Sequence, residues 1–282
     1  MKRILGTIMM TLLFAFNSTA DEGMWLLHFL KDQNIEDMKK KGLKLTAEQI
    51  YSINNACMKD AIISMGGFCT GEIISDKGLF LTNHHCGYDA IADASTPEND
   101  YLTNGFWAKK MDQEIPVEGL TATIVVRIED VTSEINAKLN DNMSYDERQA
   151  AIRKEMKAIK EKATKDTHYD ACVRNFFEGN EFYLFVVERF KDVRMVGAPP
   201  SSVGKYGGDT DNWMWPRHTG DFSMFSIYAG DANKPADFAQ ENKPYKPKHH
   251  LPISIKGVKQ NDYAMILGFP GSTDSYLSSY GV

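Results

Sequence analysis

The chain has only four cysteines in 282 residues, and no two of them form a Cys-x-x-Cys pair. It also lacks any His-x-x-x-His spacing, so the commonest zinc-site patterns are missing. No excess of positive charge is present: 32 Lys and Arg against 38 Asp and Glu give a formal net charge of −6. Phosphate recognition needs a basic face, so no nucleic-acid partner is expected. Beyond the first twenty residues no apolar run approaches the ~20 residues a helix needs to cross a bilayer, and no membrane span is expected. There are no internal repeats and no low-complexity tracts. Neither Gly-x-Ser-x-Gly nor Gly-Asp-Ser-Gly occurs, so no serine stands in a nucleophile motif.

What is present starts with Lys2 and Arg3, an apolar stretch from Ile4 to Phe16, and the small residues Ser18, Thr19 and Ala20. That is the pattern of a secretory signal peptide over residues 1–20, cleaved after Ala20 to leave Asp21. A periplasmic or secreted protein is the expectation. Residues 21–282 are long enough for one large domain or two small ones. Export makes Cys57, Cys69, Cys86 and Cys172 candidates for disulfides, and four cysteines allow three complete pairings.

The pattern from Asp21 to about Asn55 is helical, with Thr46 and Gln49 as a capping box for a second short helix. From Gly66 to Asn83, β-rich runs flank Ser75-Asp76-Lys77-Gly78, which reads as strand, turn, strand. Further strands are predicted over Thr121 to Val131, Phe182 to Phe190, Arg194 to Val196, Asp221 to Ala229 and Tyr263 to Gly268. Ser144 with Glu147 opens an amphipathic surface helix running to about Lys165. The fold class expected is mainly β with helical decoration, as a barrel or sandwich.

One segment combines structure with chemistry. Cys69 opens the hairpin, and Thr82-Asn83-His84-His85-Cys86 closes it. In trypsin-like proteases the catalytic histidine likewise follows a hairpin and precedes a cysteine bridged to the earlier strand. A general-base imidazole must be held within hydrogen-bond reach of its nucleophile, and such a staple fixes its backbone. His85 is therefore the candidate base and Cys69–Cys86 the preferred bridge. His84 is a support residue or turned away. A metal site built from His84, His85 and Cys86 with His218 or His249-His250 is the chemical competitor; neighbours on a strand point to opposite faces, and none is expected. No cofactor is expected.

The second dense stretch runs from Gly207 to Phe222 and includes Trp213, Trp215 and three aspartates. A carboxylate must orient the base, and Asp221 at the mouth of an apolar strand is placed for it. Asp209 and Asp211 are alternatives. All three could instead cap turns.

The chain resembles peptidase family S46, the dipeptidyl peptidases. The matching residues are Asp21-Glu22-Gly23-Met24-Trp25, Thr82 to Tyr88, Val196 to Ser202, Asp209 to Phe222, Asp262 to Met265 and Gly268 to Gly271. This resemblance implies one half of a chymotrypsin-like double barrel with a helical insertion between the halves. It places His85 and Asp221 in a catalytic triad, and Asn212 and Trp213 around the free α-amino group of a peptide substrate. It further implies a homodimer for the full-length protein.

The family's Gly-Asn-Ser-Gly type motif does not occur here, and Ser272, Ser201 and Ser202 read as turn residues. The expectation is therefore an N-terminal portion lacking the second barrel and the insertion, inactive alone and exposing the apolar face meant for that barrel. A non-catalytic exported peptide-binding protein is the alternative, and a metal-dependent hydrolase a third reading.

Overall fold

The computed structural model describes residues 24–211, 214–271 and 278–280. Residues 1–20, read above as a signal peptide, and Asn212, Trp213 and Ser272 lie outside them. Eleven strands form one antiparallel sheet: β1 (Ile62–Met65), β2 (Cys69–Ile73), β3 (Leu79–Thr82), β4 (Phe106–Trp107), β5 (Ile115–Pro116), β6 (Ala122–Asp130), β7 (Asp170–Phe176), β8 (Glu181–Phe190), β9 (Asp192–Ala198), β10 (Ser223–Ala229) and β11 (Lys243–Pro244).

The sheet closes on itself because β8 runs into β9 with only Lys191 between them. On one side of that corner Phe190 pairs with Ala122 of β6; on the other, Asp192 pairs with Tyr228 of β10. The circuit then runs from β10 through β3, β2 and β1 back to β6. Closure leaves these strands without free edges. Side chains alternate along each strand, so every second residue points inward. Ile63, Met65, Ile73, Phe80, Phe190, Met195, Phe225 and Ile227 fill the interior. Phe80 and Phe225 stack there with ring centroids 5.6 Å apart.

Beyond the barrel, the outer halves of β6 and β8 continue as a ribbon with β7, bent at a register shift between Val125 and Arg127. A second core lies on this ribbon, where Ile152 and Ile159 of the Tyr145–Thr164 helix meet Phe182, Leu184 and Val186. The capping box predicted for that helix is present: Glu147 N–H donates to Ser144 Oγ, and Ser144 N–H to the Glu147 carboxylate. Thr46 and Gln49 make the other one.

Two sequence expectations need correction. Tyr263 to Gly268 is not a strand. Tyr263, Met265 and Leu267 do alternate inward, onto a cluster formed with Leu30, Ile35 and Met38, but no described strand offers a hydrogen-bonded ladder, and Ile266 is fully exposed. The period-2 pattern survives without the pairing that defines a strand. The first helical stretch is broken into a 3-10 turn at Leu27–Phe29, a π turn at Leu30–Asn34 and a short helix at Ile35–Lys40, while the expected second short helix stands at Ala47–Ile50.

Among the described residues no helix is long and apolar enough to cross a membrane. Removing the Phe225 ring should leave a cavity inside the closed barrel, and Phe225→Ala should cost about 3–5 kcal/mol. A urea titration would read this as a lowered midpoint at unchanged slope; a wild-type midpoint would show that the ring does not carry the core.

Candidate active site

The site sits where β3 leaves the barrel. Thr82 ends the strand, Asn83 is the N-cap, and His84–Ala94 is a helix. This corrects the reading of His84 and His85 as the end of a strand: they form the first turn of the helix. Asn83 has the extended backbone of an N-cap, φ −72° and ψ 155°, but its side chain makes no cap bond; its amide donates to Asp221 instead.

A helix start leaves backbone N–H groups without partners, and here Asp221 supplies the acceptor. Its carboxylate takes the His85 backbone N–H at 3.0 Å, is hydrogen-bonded to the His84 backbone, and lies 2.7 Å from His85 Nδ1. Asn83 Nδ2 donates to the Asp221 carbonyl at 3.1 Å and to its carboxylate at 3.3 Å. Arg217 approaches the same carboxylate at 3.5 Å. Asp221 is thus anchored by several groups, its side chain 10% exposed, whereas the His85 side chain is 64% exposed.

The helix itself is held against β10. Ser223 Oγ donates to the Asn83 carbonyl at 2.8 Å. Gly87 lets the two elements touch: a Cβ there would lie 2.6 Å from Ser223 Oγ. The disulfide between Cys69 and Cys86 ties the start of β2 to the helix across 17 residues, with Cα atoms 6.1 Å apart. A loop of that size constrains the unfolded chain by roughly 3 kcal/mol in the entropic model. Cys57 and Cys172 are free thiols.

Cys69, His85 and Cys86 hold ligand-type atoms within 4.8 Å of one another. The two sulfurs are joined in the disulfide, so the donor set offers no thiolate and does not suit zinc. Among the described residues the hydrogen bonds of His85 go only to Asp221.

Burial works against ionisation of Asp221, but the hydrogen bonds from the backbone and ring of His85 outweigh it, and the carboxyl is held below its usual value. The arrangement orients an imidazole with Nδ1 tied to a carboxylate and Nε2 left for proton transfer. Phe222, the residue after Asp221, meets Trp107 with ring centroids 6.0 Å apart, and both rings and Val203 are exposed.

Of the residues singled out in the sequence, the structure brings together His85, Asp221, Cys69 and Cys86. Asp209 is exposed, pairing with Lys205 instead. Asn83, whose side chain donates to Asp221, was not singled out, because the helix start behind it was not legible in the sequence.

A carboxylate with a lowered folded pKa contributes stability that is complete above its unfolded value of ~3.9. That contribution is lost as the pH falls through the folded value. Thermal unfolding of the wild type and Asp221→Asn should therefore differ at neutral pH and converge in strong acid. Identical differences at every pH would show that these N–H groups do not hold the carboxylate.

The Peptidase S46 family model matches residues 20–282. Dipeptidyl-peptidase 7 of Capnocytophaga gingivalis is 53% identical over 263 residues, covering 93% of this chain and 37% of the relative. The Asp/Glu-specific dipeptidyl-peptidase of Flavobacterium psychrophilum is 49% identical over 272 residues, covering 96% and 38%. The crystal structure of Porphyromonas endodontalis DPP11 in complex with the dipeptide Arg-Glu superposes with a TM-score of 0.77 at 40% identity, covering 86% of this chain and 36% of that one. The chain thus spans little more than a third of the length of these relatives, and its β-rich fold is one barrel half of the chymotrypsin-like kind. On this evidence the chain belongs to the peptidase S46 family.

Proposed function

We propose that this chain carries the general-base half of an exported serine dipeptidyl peptidase, which releases dipeptides from the free N-terminus of peptides. The observation that carries the reading is the 2.7 Å contact between His85 Nδ1 and Asp221, formed by a member of a peptidase family. In the reaction His85 Nε2 takes the proton from a serine hydroxyl as the oxygen attacks the substrate carbonyl. It then returns that proton to the leaving amine. Asp221 keeps the ring in the Nδ1–H form and stabilises the imidazolium.

The serine is assigned to sequence outside these 282 residues, none of which forms a Gly-Asn-Ser-Gly or Gly-x-Ser-x-Gly motif. The residues present are then inactive alone, since members of a triad act as a unit. Asn212 and Trp213 are assigned to the substrate's α-amino group: a side-chain carbonyl accepts its hydrogen bonds, and the indole walls off a longer chain. The apolar surface of Trp107 and Phe222 beside the dyad suits a peptide side chain. The leader over residues 1–20 supports export to the periplasm or beyond, and the full-length protein is assigned a homodimer.

The test is hydrolysis of a dipeptide–fluorophore by this chain and by a form extended through any downstream coding sequence. Only the extended form should cleave, an N-blocked substrate should resist, and His85→Ala should lower kcat by roughly 10⁴-fold or more. Hydrolysis that survives His85→Ala would overturn the assignment, and peptide binding without cleavage by either form would favour a binding protein.

A further inference from the structure

Next to the base stands a second histidine with the opposite environment. His84 is 1% exposed, and among the described residues its buried Nε2 has no hydrogen-bond partner. Its ring is hydrogen-bonded to the backbone of Pro199. Proline has no N–H, so the acceptor is the Pro199 carbonyl and the donor is Nδ1–H. A buried lone pair without a donor is unfavourable. An apolar ring would fill the space without that cost, so what the imidazole adds at this position is its donor.

The same ring is covered by the turn that follows Pro199. A Cβ at Gly204 would lie 2.3 Å from His84 Cγ and Cδ2, so the backbone of the Ser201–Gly204 helical turn rests directly on the imidazole. Within that turn the Val203 carbonyl accepts the Gly220 N–H at 3.0 Å, and a Cβ at Gly220 would lie 2.7 Å from Val203 Cγ1. Thr219 Oγ1 donates to the Tyr206 carbonyl at 2.7 Å. Gly220 is followed by Asp221, whose carboxylate returns to His85. The contacts therefore make a closed loop that begins and ends on adjacent residues.

Resting on the dyad reading above, we infer that His84 is a positioning residue: by bonding Pro199 and supporting Gly204, it sets where Asp221 meets His85. Burial holds the His84 imidazole below its usual pKa and keeps it neutral, which suits a ring that must stay a single-proton donor. The charged and titratable groups around it are Asp221 and His85, with the Tyr88 ring 6.3 Å away.

The histidine tautomers read this without any hydrolysis. Which ring nitrogen carries the proton is set by the partner of the other, and long-range nitrogen–proton NMR on the chain at about pH 8, above the ordinary histidine pKa, distinguishes them. In the wild type His85 should be in the Nδ1–H form. His84→Phe keeps the ring volume but loses the donor, and should shift His85 toward the Nε2–H form, as Asp221→Asn should. His84→Asn keeps a donor but loses the volume under Gly204; it should lower Tm and shift the His85 tautomer less than His84→Phe does. Gly204→Ala leaves His84 intact, reads the same contact from the other side and should act like His84→Phe. If folded His84→Phe or Gly204→Ala keeps the wild-type His85 tautomer, His84 is packing alone and the inference falls. If wild-type His85 is not in the Nδ1–H form, the dyad reading itself falls, and the two failures are distinguishable.

Discussion

The site depends on one carboxylate meeting the start of one helix. Asp221 faces the first turn of the His84–Ala94 helix, where backbone N–H groups would otherwise lack partners, and accepts from His85 both its N–H and its ring. A negative charge is favoured at that end of a helix. The contact is not a major source of stability. His85 is mostly exposed, and a polar contact with one partner in solvent is worth no more than about 1 kcal/mol. Its consequence is orientation: the backbone contact fixes where the carboxylate lies, and the carboxylate fixes the ring.

Holding that contact requires joining segments 136 positions apart, and the barrel performs this. β3 ends at Thr82 and β10 begins at Ser223; the two strands pair directly, with Ser223 opposite Thr82. The base therefore leaves from the end of one strand, and the acid arrives at the start of its neighbour. On the far side of β10, the corner at Lys191 closes the circuit. There Arg194 makes two bonds to the buried Asp192, at 2.9 and 2.8 Å, and reaches the Ala239 carbonyl at 3.0 Å. A buried charged pair that lost one partner would be strongly destabilising, so the pair braces the corner itself, while the ladders of β9 with β10 and of β10 with β3 set the register of the strands.

Much of this was legible in the sequence, and what was not has physical causes. The hairpin, the Ser144 helix and the long β6 and β8 strands were readable because each is defined by local periodicity and turn chemistry. The Cys69–Cys86 bridge was readable because the hairpin brings its ends together. The helix beginning at His84 was not, because a β-rich run precedes it and its Gly87 and Cys86 are weak helix formers. That start is stabilised by a carboxylate far away in sequence. Tyr263 to Gly268 failed for the converse reason, since alternation tells which face is buried but not whether a neighbouring strand exists. Asp221 could not be separated from Asp209 and Asp211 by spacing, because its role is defined by a contact that only the closed barrel creates. Asn212 and Trp213 lie outside the described residues, and their roles remain part of the proposed function.

The division of labour that follows is physically reasonable. Among the described residues, Asp221, Asn83, Ser223 and the disulfide, which hold the His85 ring and its helix, belong to this barrel or to the turn resting on it. The base can therefore be organised before any nucleophile is present, and a serine supplied by other sequence would have only to reach Nε2. Misplacing a reacting group by a fraction of a bond length is costly in rate, so a preformed base leaves one degree of assembly to be solved rather than two. The buried His84, coupled to Asp221 through Pro199, Gly204 and Gly220, extends the same logic one layer inward: the exposed imidazole can be held still because the neighbouring one is not exposed at all.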